Sequence, residues 1–123
     1  MNSSISVIIP ALNEEYNLRA TILNILTVTH DHFKDYELLI FNDASKDKTG
    51  EIANEIAKNN SKIRVIHNKI VKGLGYNYRK GVELAKKDYI VMLPGDNSFP
   101  VKSIDMLFKI AGNADIIIPY TRN

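Results

Sequence analysis

The 123 residues predict an α/β fold, a doubly wound and mainly parallel sheet with helices on both faces. Three observations support that class. Five short runs rich in β-branched residues recur along the chain, and most are too uniformly apolar to face water on one side, as in strands of a parallel sheet. Four segments with helical spacing separate them. No repeat, linker or low-complexity tract interrupts the alternation.

The first run, Ser6-Val7-Ile8-Ile9, precedes a helical stripe of Leu18, Ile22, Ile25 and Leu26, with Asn13 ahead of Glu14 and Glu15 as the expected helix cap. Glu37-Leu38-Leu39-Ile40-Phe41 forms the second strand. Its following helix starts near Asp47 and Thr49 and turns Ile52, Ala53, Ile56 and Ala57 to one side. The third strand is Ile63-Arg64-Val65-Ile66, and the third stripe is Leu74, Tyr78, Val82 and Ala85. Tyr89-Ile90-Val91-Met92-Leu93 leads to a helix opened by Pro100 with Ile104, Leu107, Phe108 and Ala111 on one face. Asp115-Ile116-Ile117-Ile118 reads as a fifth strand. Right-handed crossovers between such strands give an open sheet whose ligands lie beyond the carboxyl ends of the strands.

Composition limits the chemistry. With 45% hydrophobic and 24% charged residues the chain suits one globular domain, and no apolar run approaches the roughly 20 residues needed to span a bilayer. Met1 to Pro10 lacks the charged start and cleavage site of a signal peptide, so the expectation is a soluble, cytoplasmic domain, with any membrane association supplied by regions outside this stretch. The absence of cysteine excludes disulfides, a thiol nucleophile and a zinc-thiolate site, leaving oxygen as the main metal ligand. The net charge of +2 hides an asymmetry, because Lys58 to Lys87 holds nine basic residues and only Glu83 as an acid. Such a segment suits phosphates, an anionic surface or a merely solvated face. Its basic residues are not interleaved with exposed-looking aromatics, so nucleic-acid binding gains little support and no nucleic-acid partner is expected.

The loops after the strands hold the candidate chemistry. Pro10-Ala11-Leu12-Asn13-Glu14-Glu15 has no glycine and therefore is not a dinucleotide fingerprint. Asn13 and Glu14 suit hydrogen bonds to a ribose or base, or alternatively a cap and a favourable first-turn charge. Asp43, at the second strand's tip, suits an imino group of a nucleobase, whereas Asp47 is better placed as a cap. Gly73-Leu74-Gly75 at a helix N-terminus can free backbone amides for an anion, with Arg79 adding a bidentate phosphate contact, or can simply form a tight turn. Gly81 lets that helix pack closely on the sheet. Asp96, flanked by Asn97 and Ser98, offers hard oxygen ligands for Mg²⁺ or Mn²⁺, or stabilises a turn.

Together these segments resemble the family 2 glycosyltransferases of the glycosyltransferase A-type fold, similar in type to polyprenyl- and dolichyl-phosphate sugar transferases. The resemblance rests on Ser6 to Glu14, Asn42 to Thr49, Gly73-Leu74-Gly75 with Arg79 and Gly81, and Asp88 to Leu93 leading to Asp96. It implies an enzyme that moves a sugar from a nucleoside-diphosphate donor to an acceptor hydroxyl, such as a polyprenyl phosphate or glycan, with inversion. It further implies that Pro10, Leu12, Glu14 and Asp43 hold the nucleoside and that an Asp-x-Asp motif after the fourth strand binds metal and diphosphate. Pro94 stands where the first of those aspartates is expected, so a divalent cation has only Asp96, with Ser98 where a polar ligand is often found. Residues 1–123 then correspond to the nucleotide-sugar-binding part, without an acceptor-binding half or an assignable general base. The rival reading is a catalytically silent nucleotide-binding module. A response regulator is a poor fit, since Pro10-Ala11-Leu12 and His67-Asn68-Lys69 occupy its acidic positions.

Overall fold

The computed structural model describes residues 3–114. Strands β1 (Ser4–Ala11), β2 (Asp35–Asp43), β3 (Ile63–Asn68) and β4 (Tyr89–Met92) alternate with helices α1 (Leu18–His32), α2 (Thr49–Lys58), α3 (Leu74–Leu84) and α4 (Val101–Lys109). The sheet order is β3-β2-β1-β4, and every neighbouring pair is parallel. The chain winds outward from β1 to β3 and then returns to set β4 on the other side of β1. The switch in winding direction, where open α/β sheets bind ligands, therefore lies between β1 and β4. The expected strand at Asp115 to Ile118 lies outside the described residues.

The alternation of side chains along the central strands divides the core between two faces. Val7, Ile9, Leu38 and Ile40 meet Leu18, Ile22, Ile25, Ala53, Ile104 and Phe108 from α1, α2 and α4. Ile8, Leu39 and Phe41 face the other way, with Ile66, Leu84 and Met92 around them. Both faces of β1 and β2 are buried as expected, but β3 and β4 are edge strands and only partly covered. No helix among the described residues is long and apolar enough to cross a membrane.

The stripe expected on α3 is a correction. Leu74, Tyr78 and Val82 are exposed, whereas Asn77 and Gly81 face the protein. Close approach explains the rotation. A Cβ on Gly81 would stand 2.6 Å from Ile8 Cδ1, so α3 approaches the sheet most closely at a residue that has no side chain. The apolar positions a turn away are thereby carried outward.

Candidate functional site

The turns after β1 and β2 interlock. Asn13 and Ala44 both adopt left-handed backbone conformations, with φ of 56° and 59°. Asn13 donates its N–H to Ser45 Oγ (3.0 Å) and accepts from the Lys46 N–H through Oδ1 (2.8 Å). The Glu14 N–H donates to Thr49 Oγ1 (2.7 Å) and the Glu15 N–H to Asp47 Oδ2 (3.1 Å). Asn13 therefore does not cap α1, contrary to expectation. That helix begins at Leu18, after a turn in which the Leu18 N–H reaches the Glu14 carbonyl. The Asn13 side chain is spent on the neighbouring loop instead. Asp47 does hold the start of α2, accepting from the Thr49 N–H (2.9 Å), and joins it to the β1 turn. Burial would raise its pKa, but the bonds from Thr49 and Glu15 outweigh that and hold it below the usual carboxylate range.

Asp43 ends β2 almost fully buried, at 4% exposure. Its Oδ1 accepts from Asn68 Nδ2 (2.9 Å) and the Lys72 N–H (2.8 Å), and its Oδ2 accepts from the Gly73 N–H (2.9 Å). Burial pushes its pKa up, yet these donors, with a contribution from Asn77, leave it below the ordinary value. Gly73 precedes α3 with φ of 88°, a conformation that favours glycine, and a Cβ there would meet nothing within 4 Å. The requirement at Gly73 is conformational rather than spatial. The anion seated at the N-terminus of α3 is thus the protein's own Asp43.

β4 continues beside β1 into the third turn. The Leu93 N–H donates to the Ile8 carbonyl (2.9 Å) and the Gly95 N–H to the Pro10 carbonyl (2.9 Å), while Thr21 Oγ1 donates to the Gly95 carbonyl (3.0 Å). A Cβ on Gly95 would lie 3.1 Å from Ala11 Cβ and 3.2 Å from the Pro10 oxygen, so the turn presses directly on the end of β1. Asp96 follows, exposed, with Oδ1 accepting from the Ser98 N–H (3.0 Å).

These turns enclose an open cleft of about 340 Å³ at the carboxyl end of the sheet. Pro10, Leu12, Glu14, Asp43, Gly73 and Asp96 all line it, so six of the seven sequence-derived candidates share one wall-to-wall site. Arg79 is not among the lining residues. It is exposed on α3, with its guanidinium 5.9 Å from the Tyr76 ring centroid. Sequence reasoning missed Asn68 and Asn77, which tie β3 and α3 to Asp43. A polar residue at the end of the β3 run and one in the first turn of a glycine-led helix were the available signals.

A larger apolar cleft of about 490 Å³ borders β4 and α4 and is lined by Ile90, Met92, Phe99 and Leu107 among others, but it lacks the charged groups that converge on the first.

The sequence matches the family described as glycosyl transferase family 2 over residues 6–122. The chain belongs to that family. Glycosyltransferase GlyG of Streptococcus pneumoniae is 27% identical over 96% of this family 2 chain, and dolichyl-phosphate beta-glucosyltransferase ALG5A of Trichomonas vaginalis is 29% identical over 85% of it. The alignments take in 39% and 34% of those relatives, so the chain spans little more than a third of their length. Among solved structures, mannosyltransferase PcManGT from Pyrobaculum calidifontis, in complex with GDP-Man and Mn²⁺, superposes with a TM-score of 0.74 at 16% identity, covering 90% of this chain and 33% of that one. S. aureus TarS in complex with UDP-GlcNAc gives 0.62 at 22% identity, with 78% and 27% covered. The glycosyltransferase A-type, Rossmann-like fold expected from the sequence is the fold found.

Proposed function

We propose that residues 1–123 form the donor-binding part of an inverting glycosyltransferase, which moves a sugar from a nucleoside diphosphate to an acceptor hydroxyl. The observation that carries this reading is the convergence of the Pro10–Glu14 turn, Asp43 and Asp96 on one cleft at the switch point of the sheet. Asp43 and the Pro10, Leu12 and Glu14 wall suit the nucleoside. Asp96, across the same cleft, suits the diphosphate end.

Among the described residues no group of three or more His, Cys, Asp or Glu is arranged to hold a metal ion. A single exposed carboxylate fits a divalent cation only when donor phosphates complete the shell, so Asp96 would hold Mg²⁺ or Mn²⁺ together with the nucleotide rather than before it. Such an ion supplies positive charge at the departing diphosphate. PcManGT, by its description, binds Mn²⁺ with its donor, which supports the same partnership here. Glu14 donates its N–H to Thr49 and is held by the interlocked turns, so its wall is preformed for a ligand. Arg79, exposed on α3 beside Tyr76 and outside the cleft lining, is the basic side chain proposed for the diphosphate. In transfer the acceptor oxygen bonds to the anomeric carbon as its bond to diphosphate breaks. The acceptor proton passes to a base that we assign to no residue of this chain. A polyprenyl phosphate or a glycan is the acceptor class the resemblance suggests, and the likeness to a dolichyl-phosphate beta-glucosyltransferase favours the former.

Calorimetry with UDP and GDP, with and without Mn²⁺, tests the reading. Binding that Mn²⁺ strengthens, with no tight Mn²⁺ binding in the absence of nucleotide, is expected. Asp96→Asn should abolish the Mn²⁺ enhancement and leave metal-free nucleotide binding nearly intact. Full enhancement in that variant makes Asp96 a turn residue only, and no nucleotide binding at all refutes the function.

A further inference from the structure

We infer that the loop leading into α3, together with the first two turns of that helix, docks on an anionic lipid bilayer and sets the mouth of the donor cleft at the headgroup layer. The surface is carried by observations other than those that make the cleft a nucleotide site, and only the name given to the cleft rests on the donor reading.

A loop in contact with water is expected to be polar, and this one is not. Ile70, Val71 and Leu74 are 63%, 58% and 60% exposed, three large apolar side chains within five residues. Tyr78 and Val82 follow Leu74 at four-residue spacing and are exposed as well, so the apolar surface runs from the loop along one flank of α3. Exposed apolar residues scattered singly are ordinary, whereas a run of them marks a surface that meets an apolar partner. Val71 and Leu74 also line the donor cleft, which places the head of the strip on the cleft's rim. The close approach of Gly81 to Ile8 fixes the rotation of α3 that turns the strip outward.

The cations choose the partner. Lys69 and Lys72 bracket Ile70 and Val71, and Arg79 and Lys80 follow in the second turn of α3, all four exposed. Lys72 Nζ stands 5.4 Å and Arg79 Cζ 5.9 Å from the centroid of the same Tyr76 ring, so two charges gather at the start of α3 near the apolar tip. Among the described residues Lys69, Lys72 and Arg79 form no salt bridge, and Glu83, the only acid between Lys58 and Lys87, is paired with Lys80 at 3.6 Å. An acidic protein surface would take the charges and leave the strip in water. A dry apolar interface would take the strip and desolvate unpaired lysines. A bilayer interface takes both, because the apolar tip enters the boundary between headgroups and acyl chains while the lysine stems lie along it and carry their ammonium groups to the lipid phosphates.

The test is sedimentation of the 123-residue chain with vesicles of phosphatidylcholine and phosphatidylglycerol in about equal amounts, and with vesicles of phosphatidylcholine alone. Binding to the mixed vesicles is expected, at least about tenfold tighter than to phosphatidylcholine and weakening as salt rises. The double variant Lys69→Gln, Lys72→Gln should weaken it by about fivefold for each charge removed. Ile70→Gln leaves the charge unchanged and should weaken it by about fivefold. Urea denaturation establishes that these variants are folded. The chain has no tryptophan, so Ile70→Trp reports depth. Its emission should shift to the blue and be quenched by bromine-labelled acyl chains in mixed vesicles, whereas Leu23→Trp, at an exposed position of α1 across the sheet, should show neither effect. Vesicle binding by a chain that takes no nucleotide upholds the surface and refutes the donor reading alone. The bilayer surface is overturned if wild type ignores the mixed vesicles, if binding survives Ile70→Gln undiminished, or if the tryptophans at positions 70 and 23 respond alike.

Discussion

Asp43→Asn separates the latch function of this carboxylate from its shape. In the protein it accepts three hydrogen bonds, two of them from the Lys72 and Gly73 amides that bring the chain into α3. The asparagine can place its carbonyl oxygen where Oδ1 serves Asn68 and Lys72, but its NH₂ then confronts the Gly73 N–H. One charge-assisted bond, worth about 1.5 to 3 kcal/mol, is lost and the other two weaken to neutral strength. Solvation of the Gly73 amide from the open cleft offsets part of this, and a destabilisation of about 3 kcal/mol is expected at pH 7. With a urea slope of about 2 kcal/mol/M the midpoint falls by about 1.5 M at unchanged slope. The pH dependence gives a second reading. Because the folded pKa of Asp43 is depressed, its contribution is fully present above the unfolded value of about 3.9 and is lost as pH falls through the folded pKa. The gap between wild type and variant must therefore narrow under acid. A loss below about 0.5 kcal/mol at pH 7, or a gap that stays constant from neutral pH to acid, would refute the latch.

Gly81→Ala gains about 1 kcal/mol of helix propensity but forces a methyl into Ile8, so a net loss of about 1 to 2 kcal/mol is expected. In the Ile8→Ala background the same change should become neutral or stabilising, and an unchanged cost would mean that α3 does not rest on Ile8. Asp47→Ala should destabilise by about 2 kcal/mol, since the Glu15 and Thr49 amides both lose an acceptor, and should weaken nucleotide binding although Asp47 does not line the cleft. Equal nucleotide affinity in a folded Asp47→Ala variant would detach the interlocked turns from the site. Asp105 is held below its ordinary pKa first by His32, at 2.7 Å, and then by Lys109. The contribution of this α1–α4 contact is thus present above about pH 4 and lost as pH falls, and thermal melts of Asp105→Asn should show a shallower acid limb than wild type. Parallel acid limbs would remove the contact from the stability of the fold.

The sequence disclosed the strands and the site more fully than it disclosed the helix faces, and the difference has a physical origin. β1 and β2 are buried on both sides, so their apolar runs had no alternative placement, and the turns after them had to carry the polar residues that the strands could not. Asp43 and Asp96 could be singled out because each ends such a run. α3 misled because its sheet-facing positions are Asn77 and Gly81, one polar and one without a side chain, while Leu74, Tyr78 and Val82 look outward. Periodicity weighs apolar residues, and here closeness of packing decided the face instead. The same inversion hid Asn77, because a polar residue beside glycines reads as solvated until the backbone places it under a carboxylate. Gly73 illustrates the converse. Its role in receiving an anion was legible from its place before a helix, but only the fold reveals that the anion is Asp43. The glycine-led helix therefore spends its leading amide on a carboxylate of the protein itself, and the first-turn side chain that borders the cleft is the polar Asn77.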